Sequence, residues 1–189
     1  MLIIKEEDIG LSKKMAYVLR HGAKKLKLPI DKNGWVRIDA LLDHINTSWR
    51  RKVTMEDILL VVRINDKQRF SISGKKIRAN QGHSMNINLE LEASEPPRVL
   101  FHGTSIQNAK KIRKDGLQKM GRQHVHLSKD MKTAIKVGQR HGKPVVFAVQ
   151  AGEMRKNGFQ FYISENNVWL VKEVPPEYLT LLGKMNDQC

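Results

Sequence analysis

The chain has 189 residues, 40% of them hydrophobic and 28% charged, a composition that can fill the cores of two compact lobes. Its 34 Lys and Arg residues outnumber its 19 Asp and Glu residues and give a net charge of +15. This surplus favours a polyanionic binding partner; the alternative is a basic surface with no such partner. No apolar run approaches the ~18 residues of a membrane span, and a single cysteine, Cys189, excludes an internal disulfide and a cysteine-based metal cluster.

The chain opens with a predicted amphipathic helix. Leu11, Met15, Val18 and Leu19 recur at the spacing of one helix face, and Gly22 stands at the C-terminal end. M-L-I-I-K-E-E-D, which precedes this helix, is too short and too acidic for a signal peptide, so we expect a cytoplasmic protein.

Two more helices and a hairpin are predicted before residue 80. W-V-R-I alternates like a short strand, and Asp39 is placed to cap the helix that follows. Thr54 and Asp57 form an imperfect capping box at the start of a third helix. R-F-S-I-S and K-K-I-R-A flank Gly74 like the arms of a hairpin. Three helices followed by a basic hairpin are the plan of a winged-helix domain, which often binds nucleic acid.

The segment E-L-E-A-S-E-P-P at 90–97 is acidic and ends in two prolines, so we interpret it as a linker. Downstream, R-V-L-F-H predicts a strand and S-I-Q-N-A-K-K-I-R-K-D-G a helix that starts at Ser105 and stops at Gly116. We expect Ile106, Ala109 and Ile112 to face inward. H-V-H-L-S predicts a strand, and a second helix and three further strands complete an α+β pattern.

The first candidate site residues are cationic. Arg20 and His21 stand together at the end of the first helix, where an arginine fork and an imidazole suit a phosphate dianion. The alternative is that both only stabilise the negative end of the helix dipole. Arg69 and Arg78 lie on the hairpin, and the polar run I-R-A-N-Q-G-H-S at 77–84 suits a loop that contacts a ligand. The alternative is that these residues only form the solvated face of a hairpin, and this segment taken by itself favours that alternative.

The run F-H-G-T-S at 101–105 ends a strand and begins a helix. Gly103 would let the backbone approach a ligand, and the helix N-terminus offers N–H groups to a carboxamide or phosphate. His102, at the end of the strand, can hydrogen-bond a ribose hydroxyl.

In G-R-Q-H-V-H-L-S at 121–128, an arginine precedes a strand on which His124 and His126 share one face and Val125 and Leu127 the other. Zinc would need further ligands that the neighbouring sequence does not offer, so a ligand-facing strand is favoured and no metal is expected. The sequence carries no Walker or Rossmann glycine signature.

In order and spacing, these segments resemble the tRNA 2′-phosphotransferase family, including its bacterial members. The resemblance runs from about Leu11 to Leu182. Its segments are L-R-H-G at 19–22, G-W-V at 34–36, K-Q-R-F at 67–70, I-R-A-x-Q-G-H-S at 77–84, H-G-T-S at 102–105 and R-x-H-V-H-L-S at 122–128.

The resemblance implies an α+β protein with an N-terminal winged-helix RNA-binding lobe (1–92), a linker (93–97) and a C-terminal ADP-ribosyltransferase-like, NAD-binding lobe (98–189). It implies an enzyme, of the kind used in tRNA splicing, that consumes NAD as it removes an internal 2′-phosphate from RNA. An RNA-2′-phospho-ADP-ribose intermediate would resolve to RNA 2′-OH and ADP-ribose 1″,2″-cyclic phosphate, with nicotinamide released. We expect a monomer with no metal and no membrane partner.

The same resemblance assigns the site, which we expect in the cleft between the lobes. The catalytic residues fall on Arg20, His21, Arg69 and Arg122. The NAD-binding residues fall on His102, Gly103, Thr104, Ser105, His126 and Ser128, with Val168 as the third member of the family's H-H-hydrophobic triad. Contacts to RNA phosphate fall on Arg78, Gln81 and His83. The glutamate usual in ADP-ribosyltransferases is not identifiable, which fits a substrate that is itself a charged nucleophile.

Two other functions are compatible with parts of the pattern. One is a mono-ADP-ribosyltransferase that modifies proteins or the terminal phosphates of nucleic acids, although the arginine set argues against a protein acceptor. The other is a non-catalytic winged-helix nucleic-acid binder, which leaves H-G-T-S and R-x-H-V-H-L-S without a role.

Overall fold

The computed structural model describes residues 5–23, 25–48 and 52–182, so Cys189 lies outside the described residues. The chain divides into two compact units, Met1–Glu90 and Leu91–Cys189. Within the described residues, no helix combines the length and the apolar character needed to cross a membrane.

Unit 1 combines three helices with one small sheet. Its elements are α1 (Glu6–Tyr17) with a π-helical continuation (Val18–Gly22), β1 (Val36–Arg37), α2 (Ile38–Ser48), α3 (Met55–Ile64), β2 (Phe70–Ser73) and β3 (Lys76–Ala79). The strands are antiparallel in the order β1-β3-β2. The predicted inward face of the first helix is confirmed, because Leu11, Met15, Val18 and Leu19 are all buried in the core of this unit.

The local signals in unit 1 are mostly confirmed. Thr54 caps α3, and its hydroxyl and the Asp57 carboxylate each accept the other residue's backbone N–H. Gly74 lies at the tip of the hairpin with φ +55°. The prediction for Asp39 was wrong: α2 begins one residue earlier, at Ile38, so Asp39 lies inside the first turn and accepts the N–H of its neighbour Ala40.

Unit 2 is a mixed arrangement of helices and antiparallel strands, in agreement with the α+β expectation. Its elements are β4 (Leu100–Ser105), α4 (Ile106–Asp115), β5 (Leu117–Gln118), β6 (Val125–Leu127), α5 (Met131–Gly138), a 3-10 turn (Gln139–His141), β7 (Pro144–Val149), α6 (Ala151–Lys156), β8 (Phe161–Ile163), β9 (Trp169–Val171), β10 (Glu173–Val174), a second 3-10 turn (Pro176–Tyr178) and β11 (Leu179–Leu182). The sheet orders are β11-β7-β4, β6-β9-β8 and β10-β5.

Helix α4 follows its predicted bounds, and its predicted facing holds for Ala109 and Ile112 but not for Ile106. Gly116 ends it with φ +75°, and Ala109 is buried as expected. Ile106, however, is 45% exposed, so its predicted inward position was wrong. Ser105 occupies the N-cap position, yet its hydroxyl makes no capping hydrogen bond within the described part of the chain.

Candidate active site

The π-helical turn Val18–Gly22 presents Arg20 and His21. A β-carbon on Gly22 would lie 2.9 Å from Cδ1 of Leu26, so this glycine permits close packing inside the turn instead of ending it in a left-handed conformation. A π-helical turn shifts the angular placement of side chains relative to an ordinary α-helix, and such turns are frequent at functional sites. Both side chains are half-buried here.

The backbone at 82–84 holds this pair of residues. The Ser84 N–H donates to the Arg20 carbonyl at 3.0 Å, and the Ser84 hydroxyl lies 3.0 Å from Nδ1 of His21. Gly82 has φ +88°, and a β-carbon on it would lie 3.5 Å from Nε of Arg20, so this glycine packs against the guanidinium. The G-H-S run therefore contacts both Arg20 and His21.

His83 lies between those two contacts and points inward. It is 1% exposed, and neither ring nitrogen has a hydrogen-bond partner among the described residues. Burial, and then the nearby basic side chains of Arg20, His21 and Arg78, lower the pKa of His83 from 6.5 to about 4. A ring this buried offers almost no surface in this structure, and the contact of His83 with an RNA phosphate stays a prediction.

The other two residues predicted to contact RNA phosphate differ in burial. Arg78 is 9% exposed, and its guanidinium carbon lies 4.6 Å from the ring centre of Trp35, a cation–π contact. Gln81 is half-buried. Arg78 is thus an interior residue, whereas part of the Gln81 side chain remains accessible to solvent.

Arg69 is positioned by the residues that end α3. Its Nη1 donates to the Asn65 side-chain oxygen at 3.1 Å, and Asn65 in turn donates to the Ser12 hydroxyl at 2.9 Å. An ion pair with Asp66 at 3.7 Å adds little, since that carboxylate is 72% exposed. Asn65 therefore ties Arg69 to α1, the helix that leads into Arg20 and His21. The hairpin motif alone did not indicate this role of Asn65.

In unit 2, H-G-T-S forms the end of β4 against α5. A β-carbon on Gly103 would lie 1.6 Å from the Ala134 carbonyl oxygen, so the close approach that requires glycine is to a helix backbone rather than to a ligand. Thr104 and Ser105 are also buried, and the Thr104 hydroxyl accepts a hydrogen bond from Asn108 at 3.2 Å. This packing fixes the position of His102, the preceding residue.

His102 and His126 lie on neighbouring strands. An antiparallel bridge between Phe101 and Ser128 joins β4 to β6, with reciprocal hydrogen bonds of 2.9 and 2.7 Å. Nδ1 of His102 lies 3.1 Å from the His126 carbonyl. A carbonyl only accepts, so Nδ1 carries the proton and Nε2 of the neutral ring is an acceptor.

Arg122 contacts His126 from the other side. Its Nη1 donates to Nδ1 of His126 at 3.2 Å, which places the proton of the neutral His126 ring on Nε2. Burial lowers the pKa of His102, the hydrogen bond to the His126 carbonyl raises it, and the neighbouring Arg122 and His141 side chains lower it further. These hydrogen bonds thus define the role of Nδ1 in each ring, which donates in His102 and accepts in His126. His141, in the 3-10 turn after α5, is a neighbour that the sequence pattern gave no means to find.

The predicted two-faced strand is confirmed in β6. Val125 and Leu127 are buried, whereas His124 and His126 are half-buried on the other face. His124 packs edge-on against Tyr162, with 5.7 Å between ring centres. The described residues contain no group of three or more His, Cys, Asp or Glu side chains suited to a metal ion.

Val168 directly precedes β9, the strand that pairs with β6. Its N–H donates to the Ser164 hydroxyl at 3.1 Å and its carbonyl accepts the Ser164 N–H at 3.0 Å. Its backbone is therefore used to close the β8–β9 turn, and its half-buried side chain is the part that could contact a ligand.

Comparison with known proteins identifies the family. Residues 6–173 match the sequence model of the RNA 2′-phosphotransferase, Tpt1 / KptA family. The chain belongs to the RNA 2′-phosphotransferase family.

A protein of Flavobacterium johnsoniae named "Probable RNA 2′-phosphotransferase" is 47% identical over 172 residues, covering 90% of this chain and 94% of that protein. Proteins with the same name from Trichormus variabilis (48% identical; 93% of this chain, 97% of that protein) and Streptomyces coelicolor (42%; 92% and 95%) are similarly related.

Membership confirms the resemblance seen in the sequence and makes the chain a transferase enzyme. The matched range extends from α1 to β10 and contains every predicted site residue in both units. The RNA 2′-phosphotransferase assignment therefore covers the Arg20–His21 cluster of unit 1 as well as the His102–His126–Arg122 group of unit 2.

Proposed function

We propose that this RNA 2′-phosphotransferase uses NAD as a second substrate and transfers an internal RNA 2′-phosphate to its ADP-ribose part. The products are RNA with a 2′-OH, nicotinamide and ADP-ribose 1″,2″-cyclic phosphate. The observation that carries this proposal is the hydrogen-bonded group His102–His126–Arg122. In this group, His102 and His126, which we assign to NAD binding, are linked by hydrogen bonds to Arg122, which we assign to the phosphate.

We assign NAD binding to residues of unit 2. A neutral His102 with its proton on Nδ1 can accept a ribose hydroxyl at Nε2, and the neutral His126 can donate from Nε2. Thr104, Ser105, Ser128 and the Val168 side chain complete the assignment. Neutral rings suit this task because they contact hydroxyl groups without adding charge beside the oxocarbenium-like ribose that forms when nicotinamide departs.

In the first step the RNA 2′-phosphate attacks C1″ of the nicotinamide ribose, the C1″–O bond forms, and nicotinamide leaves with the electron pair of the broken C1″–N bond. The nucleophile is already an anion, so placement matters more than general-base catalysis. We assign this placement to Arg20, His21 and Arg69. Ser84 engages Nδ1 of His21, so we assign Nε2 of that ring to the phosphate.

In the second step the ADP-ribose 2″-OH attacks phosphorus and the RNA 2′-oxygen leaves, taking up a proton. Negative charge accumulates on the phosphoryl oxygens, and arginine forks stabilise it without a metal. We assign Arg122 and Arg69 to this charge. His21 holds the phosphate or carries the proton.

The organisation of the chain agrees with this division of tasks. Three helices and a three-stranded sheet suit a winged-helix RNA-binding lobe in unit 1, and the strand-rich unit 2 suits an ADP-ribosyltransferase-like lobe. We propose that both lobes contribute catalytic residues and that neither acts alone.

The proposal is tested with three matched RNA oligonucleotides: one with an internal 2′-phosphate, one with a 2′-OH and one with only a terminal phosphate. Nicotinamide release is measured by chromatography for each one. We expect release only with the internal 2′-phosphate, in proportion to RNA dephosphorylated. Dephosphorylation without NAD would overturn the proposal, and release with the terminal phosphate alone would instead indicate an ADP-ribosyltransferase of phosphate ends.

A further inference from the structure

The G-H-S run at 82–84 makes three different contacts in consecutive residues. Gly82 packs against the Arg20 guanidinium, and Ser84 hydrogen-bonds the Arg20 carbonyl and the His21 ring. His83, between them, is turned into the protein. A β-carbon on Gly34, which has φ +82°, would lie 3.4 Å from Nε2 of His83. His83 is thus the buried anchor of the backbone that holds Arg20 and His21.

An imidazole is an unfavourable choice for an anchor of this kind. Its two ring nitrogens are buried and lack a hydrogen-bond partner among the described residues. Each such group loses its hydration without compensation, whereas an apolar side chain of similar size would bury its surface at no such cost. Folding alone would favour leucine or phenylalanine at this position, so the histidine calls for a reason in function.

The groups around His83 suggest that reason. The ionisable groups that act on it, Arg20, His21 and Arg78, are all of the basic type, and no carboxylate is among them. A neutral imidazole is the protonation state that suits such surroundings, and it adds a hydrogen-bond acceptor without adding a further positive charge or a competing carboxylate. A carboxylate here would neutralise the cations and weaken their attraction for a phosphate.

We propose that His83 is a positioning residue, a buried neutral acceptor that keeps Arg20 and His21 in place for the RNA 2′-phosphate. This role rests on the proposed function of those two residues. Catalytic hydrogen bonds are often poorly aligned before substrate binds and tighten afterwards. Once the phosphate is bound, His83 would accept an N–H from Arg20 or Arg78. This hydrogen bond would keep that guanidinium from being displaced.

The test compares His83→Leu with His83→Gln. Leucine keeps apolar volume but removes the acceptor, whereas glutamine restores a neutral acceptor. We expect His83→Leu to be at least as stable as the wild type at pH 7, with kcat about tenfold to a hundredfold lower and KM for NAD unchanged. His83→Gln should recover a substantial part of kcat. His44→Leu, the same change on α2 of the same unit, serves as control and should keep wild-type kcat.

A second measurement does not depend on turnover. Nitrogen-15 NMR reports the Arg20 Nε–H and the ring nitrogens of His21, whose Nδ1 lies 3.0 Å from the Ser84 hydroxyl in the wild type. We expect both sets of signals to shift in His83→Leu and to return toward wild type in His83→Gln. Full activity of a stable His83→Leu, no recovery in His83→Gln, or a fall in kcat with both sets of signals unchanged would overturn the proposal.

These two measurements separate failure of the inference from failure of the proposed function. If the wild-type enzyme does not consume NAD with 2′-phosphorylated RNA, the proposed function fails. The NMR comparison still decides whether His83 positions Arg20 and His21.

Discussion

Nδ1–H of His102 donates a 3.1 Å hydrogen bond to the main-chain carbonyl of His126. The His126 ring in turn accepts a hydrogen bond from Arg122 at 3.2 Å. The residue assigned to the nicotinamide ribose and the residue assigned to the reacting phosphate are therefore connected through a single histidine. This connection would allow one short segment, R-Q-H-V-H, to contact both substrates of the proposed reaction.

Replacing Arg122 should slow the second chemical step much more than the first. In the proposed mechanism the first step uses a nucleophile that is already anionic, while the second accumulates charge on phosphorus, so Arg122→Ala should slow the second step by a factor on the order of a hundred or more. ADP-ribosylated RNA should then accumulate, and Arg69→Ala should do the same. Gel electrophoresis of end-labelled RNA during a single turnover measures the intermediate. Arg155→Ala, whose side chain pairs with Glu95 elsewhere in unit 2, is the control; normal turnover by both site variants would refute these assignments.

Replacing His102 should weaken NAD binding selectively. His102→Phe keeps a flat ring but removes the Nε2 acceptor and the Nδ1–H donated to His126, so we expect NAD affinity to fall about three- to tenfold. Calorimetric titration with NAD measures the change. His124→Phe, one strand position from the buried Val125, is a matched control and should bind NAD normally. Equal affinity loss in both variants would show that the effect is not specific to the His102 ring.

A methyl group at residue 103 should destabilise unit 2. In Gly103→Ala the new carbon would lie 1.6 Å from the Ala134 carbonyl oxygen, a clash with helix backbone that side-chain rotation cannot relieve. We expect the free energy of unfolding to fall by about 3 kcal/mol or more. Gly121→Ala is the control, because no described heavy atom lies within 4 Å of its new carbon, and it should change stability by less than about 0.5 kcal/mol. Urea unfolding of both variants makes the comparison, and similar stabilities would contradict the close packing of β4 on α5.

The depressed pKa of His83 predicts acid sensitivity in unit 1. The unfolded chain takes up a proton near pH 6.5, but native His83 does so only near pH 4, so stability falls as the pH drops between these values and levels off below about 4. The loss amounts to at most about 3 kcal/mol. Urea unfolding at pH 7.5 and pH 4.5, followed by amide signals of unit 1, should show a smaller loss in His83→Leu than in the wild type. Parallel losses would mean that His83 ionises normally.

The surplus of positive charge predicts salt-sensitive RNA binding. With a net charge of +15, contacts to phosphates should release counterions from the RNA, and log Kd should rise by about 0.7 per contacted phosphate for each decade of salt. Filter binding of a 2′-phosphorylated RNA over a range of KCl concentrations measures this slope. A slope near zero would argue against backbone contacts.

Much of the fold was accessible from local patterns in the sequence. The buried face of α1, the Thr54–Asp57 box and the Gly74 hairpin each depend on neighbours in the chain, and all are confirmed. Features set by distant contacts were missed. β11 is not evident as a strand until it pairs with β7, and Ile106 is exposed because helix packing, not hydrophobicity alone, decides which side faces inward.

In the candidate site, too, local sequence features could be predicted and features set by distant contacts could not. The arginine and histidine motifs were visible in the sequence, but the role of Gly103 depends on a helix about 30 residues downstream in the chain. The burial of His83 could not be predicted either, since a polar loop sequence ordinarily indicates solvent exposure. The fixed tautomers of His102 and His126 follow only from their partners in space.

The central claim is that the phosphate moves from RNA to ADP-ribose. An RNA labelled with phosphorus-32 only at its internal 2′-phosphate is incubated with the enzyme and NAD, and the labelled products are separated by chromatography. The mechanism predicts that all released label is found in ADP-ribose 1″,2″-cyclic phosphate. Label released as inorganic phosphate would contradict it.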